Sequence, residues 1–295
     1  MKVFASRAAY AASCLAVLAA GCSQQPSSNE QDAKASVIKG DVPGCELTPI
    51  MLEEFETLNA AAWKLDPGIR WTAHTPWNGD FGEARFIDPG PDGPFSVADG
   101  ILSITARKNE DGKWTSGLLA AADASGAGTG TQWGYFEARM KMPLGPGTWP
   151  AFWVVPLEPV PGPDGNIEVD VIEHYGRSSN EYGMSIHAWY DDKEKYRLDS
   201  EFIDVPDMSL INDFNTFGVD ISPQAIVFYM NREEVWRQPT PVELDTPMYP
   251  IVNLALGGGW PIDETPDPSV LLVDYVHVYA RGEGPPEGCP PGLPG

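Results

Sequence analysis

Basic side chains are scarce in this 295-residue sequence: 19 Lys and Arg stand against 42 Asp and Glu, a formal net charge of −23. So acidic a surface repels phosphate backbones, which excludes nucleic acid as a partner but not a neutral polymer. The acids are dispersed rather than gathered in blocks, as on a solvated surface that keeps a protein soluble. After residue 20 no apolar run approaches the ~18 residues that a membrane-spanning helix needs. Long stretches of 3.6-residue helical periodicity are missing too, and so are internal repeats, which leaves helical bundles and repeat arrays without support.

Cysteine is sparse, with four residues at positions 14, 22, 45 and 289. Residues 1–22 place Lys2 and Arg7 ahead of an apolar run, 8–20, and read as an export leader. LAAGC (18–22) resembles a bacterial lipobox, which would lipidate Cys22; ordinary secretory cleavage near the same point is the alternative. The expected product is exported, either secreted or held to a bacterial membrane only through that lipid. Cys14 leaves with the leader, so Cys45 and Cys289 remain. They bracket the folded part, and in an oxidising compartment a bond between them would tie its ends together. Residues 23–44, rich in Ser, Gln, Asn and Lys, read as a disordered tether. The tail 282–295 (GEGPPEGCPPGLPG) cannot supply a strand interior, because proline removes ladder donors.

Between these ends the chain has abundant Gly and Pro punctuation, 30 and 29 residues in all. Short β-rich runs lie between the breaks, at 100–107, 134–142, 151–155, 167–173, 183–190, 217–221, 225–230, 251–256 and 271–279. Short strands with turn signals and no intervening helices predict one all-β domain over 45–281, a sandwich or barrel. In 134–142, Phe136, Ala138, Met140 and Met142 oppose Tyr135, Glu137, Arg139 and Lys141, which predicts one buried face and one wet face.

The segment GNIEVDVIEH (165–174) carries the chemistry. A regular strand would put Glu168 and Asp170 on one face and Glu173 on the other, among Ile167, Val169 and Val171, where an unpaired acid is costly. A β-bulge at Val171-Ile172 returns Glu173 to the face of Glu168 and Asp170. Three crowded carboxyls cannot all ionise cheaply, so one keeps a proton near neutrality. A retaining glycoside hydrolase needs that arrangement: one carboxylate to attack the anomeric carbon and one carboxyl to protonate the leaving oxygen, roughly 5–5.5 Å apart. Neighbouring positions on one strand face suit that separation better than the ~6.5–9.5 Å of an inverting enzyme.

These acids, with WGYFEARMKMP (133–143), GTWPAFW (147–153), YPIVNLALGG (249–258) and VDYVHVY (273–279), resemble glycoside hydrolase family 16, in its bulged laminarinase-like branch with the motif ExDxxE. The resemblance runs in order from about Glu53 to Tyr279. It implies a concanavalin-like β-jelly-roll sandwich with a concave substrate groove, Glu168 as nucleophile, Glu173 as acid/base, and Asp170 hydrogen-bonding the nucleophile between them. Sugar rings pack their C–H faces on aromatic planes, and by resemblance Trp149 and Trp153 line the groove. Trp77, Trp133 and Trp260 are groove, rim or core residues, while Trp71, Trp114 and Trp236 are read as packing. His187 is an expected active-site contact, whereas His174 should point to the opposite face. Asn253 is an expected hydroxyl ligand. Glu137 and Arg139 either line the groove or pair with each other, the pair being the favoured reading. No cofactor is implied for the chemistry, although relatives often hold a structural calcium, for which Glu54 and Asp274 are the matching positions.

The resulting expectation is a monomeric, exported enzyme that cleaves internal β-glycosidic bonds of a polysaccharide, with β-1,3- or mixed-linkage β-glucan as default substrate. Agar-, carrageenan- or porphyran-type polymers, a bacterial exopolysaccharide, transglycosylation, and a non-catalytic lectin-like sandwich are the alternatives.

Overall fold

Turn residues cut the chain into many short segments, and the segments pair as two stacked sheets. The computed structural model describes residues 45–157, 164–281 and 292–293. The expected leader, Cys22, the tether and Cys289 lie outside these residues, as does the tail apart from Gly292 and Leu293. Among the described residues run β1 (Thr48–Glu53), β2 (Ala60–Ala61), β3 (Trp71–Thr72), β4 (Arg85–Phe86), β5 (Phe95–Ala98), β6 (Ile101–Lys108), β7 (Trp114–Ser116), β8 (Leu118–Ala120) and β9 (Gly134–Lys141). They continue with β10 (Thr148–Pro156), β11 (Asn166–Glu173), β12 (Glu181–Trp189), β13 (Arg197–Asp204), β14 (Asn215–Ile221), β15 (Ala225–Met230), β16 (Glu233–Pro239), β17 (Met248–Leu256) and β18 (Ser269–Ala280). Among the described residues, helix is confined to a 3₁₀ turn at Lys193–Lys195 and the four-residue α1 (Ser209–Asn212). No helix among the described residues is long and apolar enough to cross a membrane.

The eight-stranded sheet has the order β13-β12-β11-β10-β17-β8-β3-β2, and the ten-stranded sheet the order β16-β15-β14-β9-β18-β6-β7-β4, with β1 added to β18 and β5 to β6. This is the two-layer jelly-roll sandwich. Phe152 and Val154 from β10, Ile167 and Val169 from β11, and Met184 and Ile186 from β12 meet Phe136, Ala138, Phe217, Val219, Val276 and Val278 of the other sheet in one core, all 3 % exposed or less. All nine expected strands are present. The unforeseen ones are mostly short, or lie at edges where both faces are wet: β13 (RLDSEFID) and β16 (EEVWRQP) close opposite sheets and show no clean alternation.

Two expectations about β9 are corrected. Its second face is not wet, because Tyr135 is fully buried in a small outer cluster with Leu47, Val227 and Tyr229, against which Tyr279 and Leu293 pack. Nor do Glu137 and Arg139 pair with each other. Glu137 meets Arg232 Nη2 at 3.2 Å and accepts from the Tyr135 and Tyr275 hydroxyls, while Arg139 Nη1 meets Asp274 Oδ2 at 2.5 Å. Residues two apart on one strand are farther from each other than from cross-strand neighbours, and those neighbours carry the complementary charges. Cys45 is disulfide-bonded.

Candidate active site

The register of β11 answers the parity problem posed by its sequence. On β12, Ser185 and Gly183 are two residues apart, yet they face Asp170 and Glu173, which are three apart. On β10 the same slip appears, where adjacent Phe152 and Trp153 face Ile172 and Asp170. Val171 is therefore the extra residue of a β-bulge. Ile172 stays in the core at 0 % exposure, and Glu173 turns outward to join Glu168 and Asp170.

Register then writes the neighbours of each acid. Glu168 lies opposite His187, Asp170 opposite Ser185, and Glu173 between Ala151 and Gly183. One strand farther, Leu198, Ser200 and Phe202 of β13 continue the three rows, and on the other side Asn253 of β17 faces Ala151. The acids lie between two adjoining chambers of about 320 and 440 Å³ that share Trp149, Trp189 and all three carboxyls, which together form a groove.

Each acid has distinct partners. Trp189 Nε1 donates to Glu168 Oε2 at 3.1 Å; Trp149 Nε1 and the Tyr175 hydroxyl donate to Glu173 Oε1 at 2.9 and 3.0 Å. Asp170, 4 % exposed, takes the Ser185 hydroxyl at 2.7 Å, and its Oδ2 faces His187 Nε2 at 3.0 Å. Asp170 acts on Glu168 through its charge. Ser185 Oγ also lies 3.3 Å from Glu173 Oε2. Burial, and then the charge of Asp170, push Glu168 up to about 8 and Glu173 up to about 7. The cluster thus gives up its protons stepwise and retains one near neutrality. Burial disfavours a charge on His187, but its hydrogen bond to Asp170 and the three carboxylate charges outweigh this and raise its pKa. Glu168, Asp170 and His187 each bring a ligating atom within 4.8 Å of the others, but the histidine nitrogen already faces Asp170 as an ion pair.

Of the aromatic candidates, Trp149, Trp153 and Trp77 line the groove, Trp77 meeting Trp153 edge-on at 6.0 Å. Trp153 Nε1 donates to Asn253 Oδ1 at 2.8 Å, which leaves the fully buried Asn253 Nδ2 on the groove wall without a hydrogen-bond partner. The floor is tight: a Cβ on Gly258, at φ +60°, would stand 2.8 Å from both Trp149 and Tyr175. Trp133 is a correction, because it precedes β9 in the other sheet and packs on the core. Trp260 sits outside the two chambers under Arg177, whose guanidinium lies 4.1 Å above its ring. The expected calcium ligands are both engaged by bases: Glu54 Oε1 faces His277 Nε2 at 2.8 Å and Asp274 faces Arg139. A cation at either would compete with those partners. His174 is fully buried, away from the groove, with Nε2 at 2.9 Å from the Ser178 carbonyl.

A sequence model of glycosyl hydrolases family 16 matches residues 96–276. The chain belongs to that family. The family 16 match leaves out β1, which nonetheless pairs with β18. Endo-1,3-1,4-β-glycanase ExsH of Rhizobium meliloti (strain 1021) is 35 % identical over 197 residues, 63 % of this chain and 40 % of the relative. The chain therefore spans less than half the length of that relative. A β-glucanase of Rhodothermus marinus is 31 % identical over 204 residues, 62 % of this chain and 69 % of the relative. The laminarinase of Rhodothermus marinus, a solved structure, superposes with a TM-score of 0.61 at 25 % identity, over 79 % of this chain and 97 % of that one.

Within this family 16 chain the sequence left several groove residues unnoticed. Ser185 and Trp189 flank His187 at two-residue spacing on β12, so the alternation that turns one toward the groove turns all three. Tyr175 follows Glu173 past the strand end, and Phe81 reaches the groove from the loop after β3. Tyr196, whose hydroxyl lies 2.7 Å from His187 Nδ1, comes from the turn before β13. Loop residues such as these obey no strand period.

Proposed function

We propose that this chain is a retaining endo-acting glycoside hydrolase of a neutral β-glucan with 1,3- or mixed 1,3-1,4 linkages, working outside the cytoplasm. The observation that carries this reading is the row of three carboxyls turned onto one face of β11 by the bulge, between two adjoining chambers lined by Trp149, Trp153, Trp189 and Tyr175. Glu168 attacks the anomeric carbon as the glycosidic C–O bond breaks, and Glu173 gives its proton to the leaving oxygen. In the second half-reaction Glu173 takes a proton from water, the water oxygen bonds to the anomeric carbon, and Glu168 is released. Asp170, bonded to His187 and Ser185, repels charge on both glutamates and keeps the shared proton in the site.

With Glu168 raised slightly more than Glu173, acidity alone would order the two in the opposite sense. Hydrogen bonding favours Glu173 as acid. A serine hydroxyl has one proton, and the short bond to Asp170 uses it, so Ser185 offers Glu173 a lone pair that a protonated Oε2 can donate to. The disulfide at Cys45 supports an oxidising compartment. Trp77, Trp149, Trp153 and Asn253 bind the sugar.

The test is a panel of polysaccharides incubated with wild type and Glu168→Ser, with product sizing and anomer analysis by NMR. Wild type is expected to shorten laminarin or barley β-glucan to oligosaccharides of retained configuration, and the variant to do neither. Equal activity in the variant would overturn the nucleophile assignment, and retention of polymers on the protein without shortening would favour a lectin.

A further inference from the structure

A cavity of about 560 Å³, larger than either chamber of the groove, is lined by segments that follow β2 and β3, by β4 and by the loop after it: Trp63, His74, Arg85, Phe86, Asp88 and Asp92. Phe81 and Phe86, edge to face at 5.1 Å, divide it from the groove, with Phe81 on the groove side and Phe86 on this side. Trp63 is 47 % exposed, an unusual state for so large an apolar ring. It is not loose. Its ring stacks on His74 with centroids 4.0 Å apart and planes 9° from parallel. His74 is itself 8 % exposed, held by Asp88 Oδ1 at 2.7 Å from Nε2, while its Nδ1 has no hydrogen-bond partner. The opposite rim is braced as well, because Gly93 N donates to the Gly90 carbonyl and Arg107 Nη2 donates to the carbonyls of Asp92 and Gly93.

A flat indole fixed from behind, with carboxylates and a guanidinium around it, has the composition that pyranose rings select: C–H faces stack on the aromatic plane and hydroxyls bond to charged oxygens and nitrogens. Asp88 and Asp92 on the cavity wall disfavour sulfated or carboxylated sugars. We infer that this cavity is a second, non-catalytic saccharide site that binds neutral pyranose units of the polymer cleaved in the groove. The inference rests on the glycanase reading above. Holding the polymer here raises its effective concentration at the groove without touching the chemistry.

The experiment uses gel retardation by laminarin, barley β-glucan or κ-carrageenan, with Glu168→Ser protein so that turnover plays no part. Trp63→Ala is expected to weaken retardation by at least one neutral glucan about fivefold or more, Trp63→Phe to keep most of it, and κ-carrageenan to retard none of the proteins. In active enzyme Trp63→Ala should raise KM on the polymer by a similar factor, leave kcat unchanged, and leave cleavage of a tetrasaccharide unchanged. Retardation equal to the parent's, absence of retardation by either glucan, or loss of tetrasaccharide cleavage would each overturn the second site. Failure of wild type to shorten any polymer would instead strike the catalytic reading, because retardation is read on inactive protein.

Discussion

On the outer face of the ten-stranded sheet, Glu137 faces Arg232, Asp274 faces Arg139, Glu54 faces His277, and Asp220 meets Arg281 and the Gly292 amide. In the groove, across the sandwich, Glu168, Asp170 and Glu173 share one base, His187. Both faces even use the same backbone device. In β18, adjacent Met140 and Arg139 of β9 face Val273 and Tyr275, so Asp274 is an extra residue that swells the strand, as Val171 does in β11. One bulge brings an acid to a cation and the other brings an acid to two more acids. Charges that are matched hold the structure together, whereas unmatched ones keep protons and can move them. The balance of partners, rather than the number of acids, marks the chemistry.

Breaking one acid on each face should give opposite phenotypes. Glu173→Gln is expected to cut kcat by about 10²–10⁴-fold with no loss of stability near neutral pH, read by steady-state kinetics and thermal melts. Asp220→Asn leaves Arg281, 2 % exposed, without its partner, which should cost about 3–5 kcal/mol, on the order of 10 °C in Tm, while kcat of the folded fraction stays at the wild-type value. If Asp220→Asn lowers kcat more than Tm, the division between the two faces fails.

Removing the bulge sharpens the same comparison. Deleting Val171 turns EVDVIE into EVDIE, in which plain period-two alternation already puts all three acids on one face. Fold and some activity should therefore survive, with kcat/KM reduced about 10²-fold because the third acid is displaced by an ångström or so. Deleting Val171 and Ile172 together restores the wrong parity and should abolish activity altogether.

A third contrast is pH. Glu168 and Glu173 titrate near 8 and 7 in the folded protein against about 4.5 unfolded, so the folded state binds their protons more tightly. That stabilisation is complete below pH ~4.5 and is lost as pH rises through 7 to 8. Wild-type stability should fall between pH 5 and 8.5 by an amount on the order of 5 kcal/mol, read as a fall in Tm. Glu168→Gln, which cannot ionise, should flatten the decline, whereas Arg232→Met on the outer face should leave its slope intact.

These two faces were not equally legible in the sequence. The carboxylate row, its bulge and the sandwich could be read because strand periodicity forces them: an acid at the wrong parity in a core strand has to be explained. Trp149, Trp153, His187 and Asn253 line the groove as expected, and Trp77, left open between groove, rim and core, lines it too; Trp133 instead stands in the bend before β9 of the other sheet, and alternation cannot tell which sheet a strand joins. The outer face was misread as wet because its cover, Leu47, Tyr229, Tyr279 and Leu293, comes from four distant segments. Pairing across strands likewise depends on which strands become neighbours, and so Arg232 and Asp274 rather than each other became the partners of Glu137 and Arg139.

The smallest expected effect concerns the hydroxyl between Asp170 and Glu173. If Ser185 gives its proton to Asp170 and accepts one from protonated Glu173, Ser185→Ala removes an acceptor from the acid form of Glu173 and a donor from Asp170. The acid form is then less favoured, and the alkaline limb of the pH–rate profile should move to lower pH by about half a unit to one unit, as loss of one hydrogen bond worth about 1 kcal/mol requires. Should Ser185 instead donate to an ionised Glu173, the same substitution destabilises the carboxylate and moves the limb upward. The sign of a shift in kcat against pH, measured alongside an expected loss of about fivefold at the optimum, thus decides which way the proton points in the groove. A downward shift keeps Glu173 as the acid, while an upward one would hand that role to Glu168.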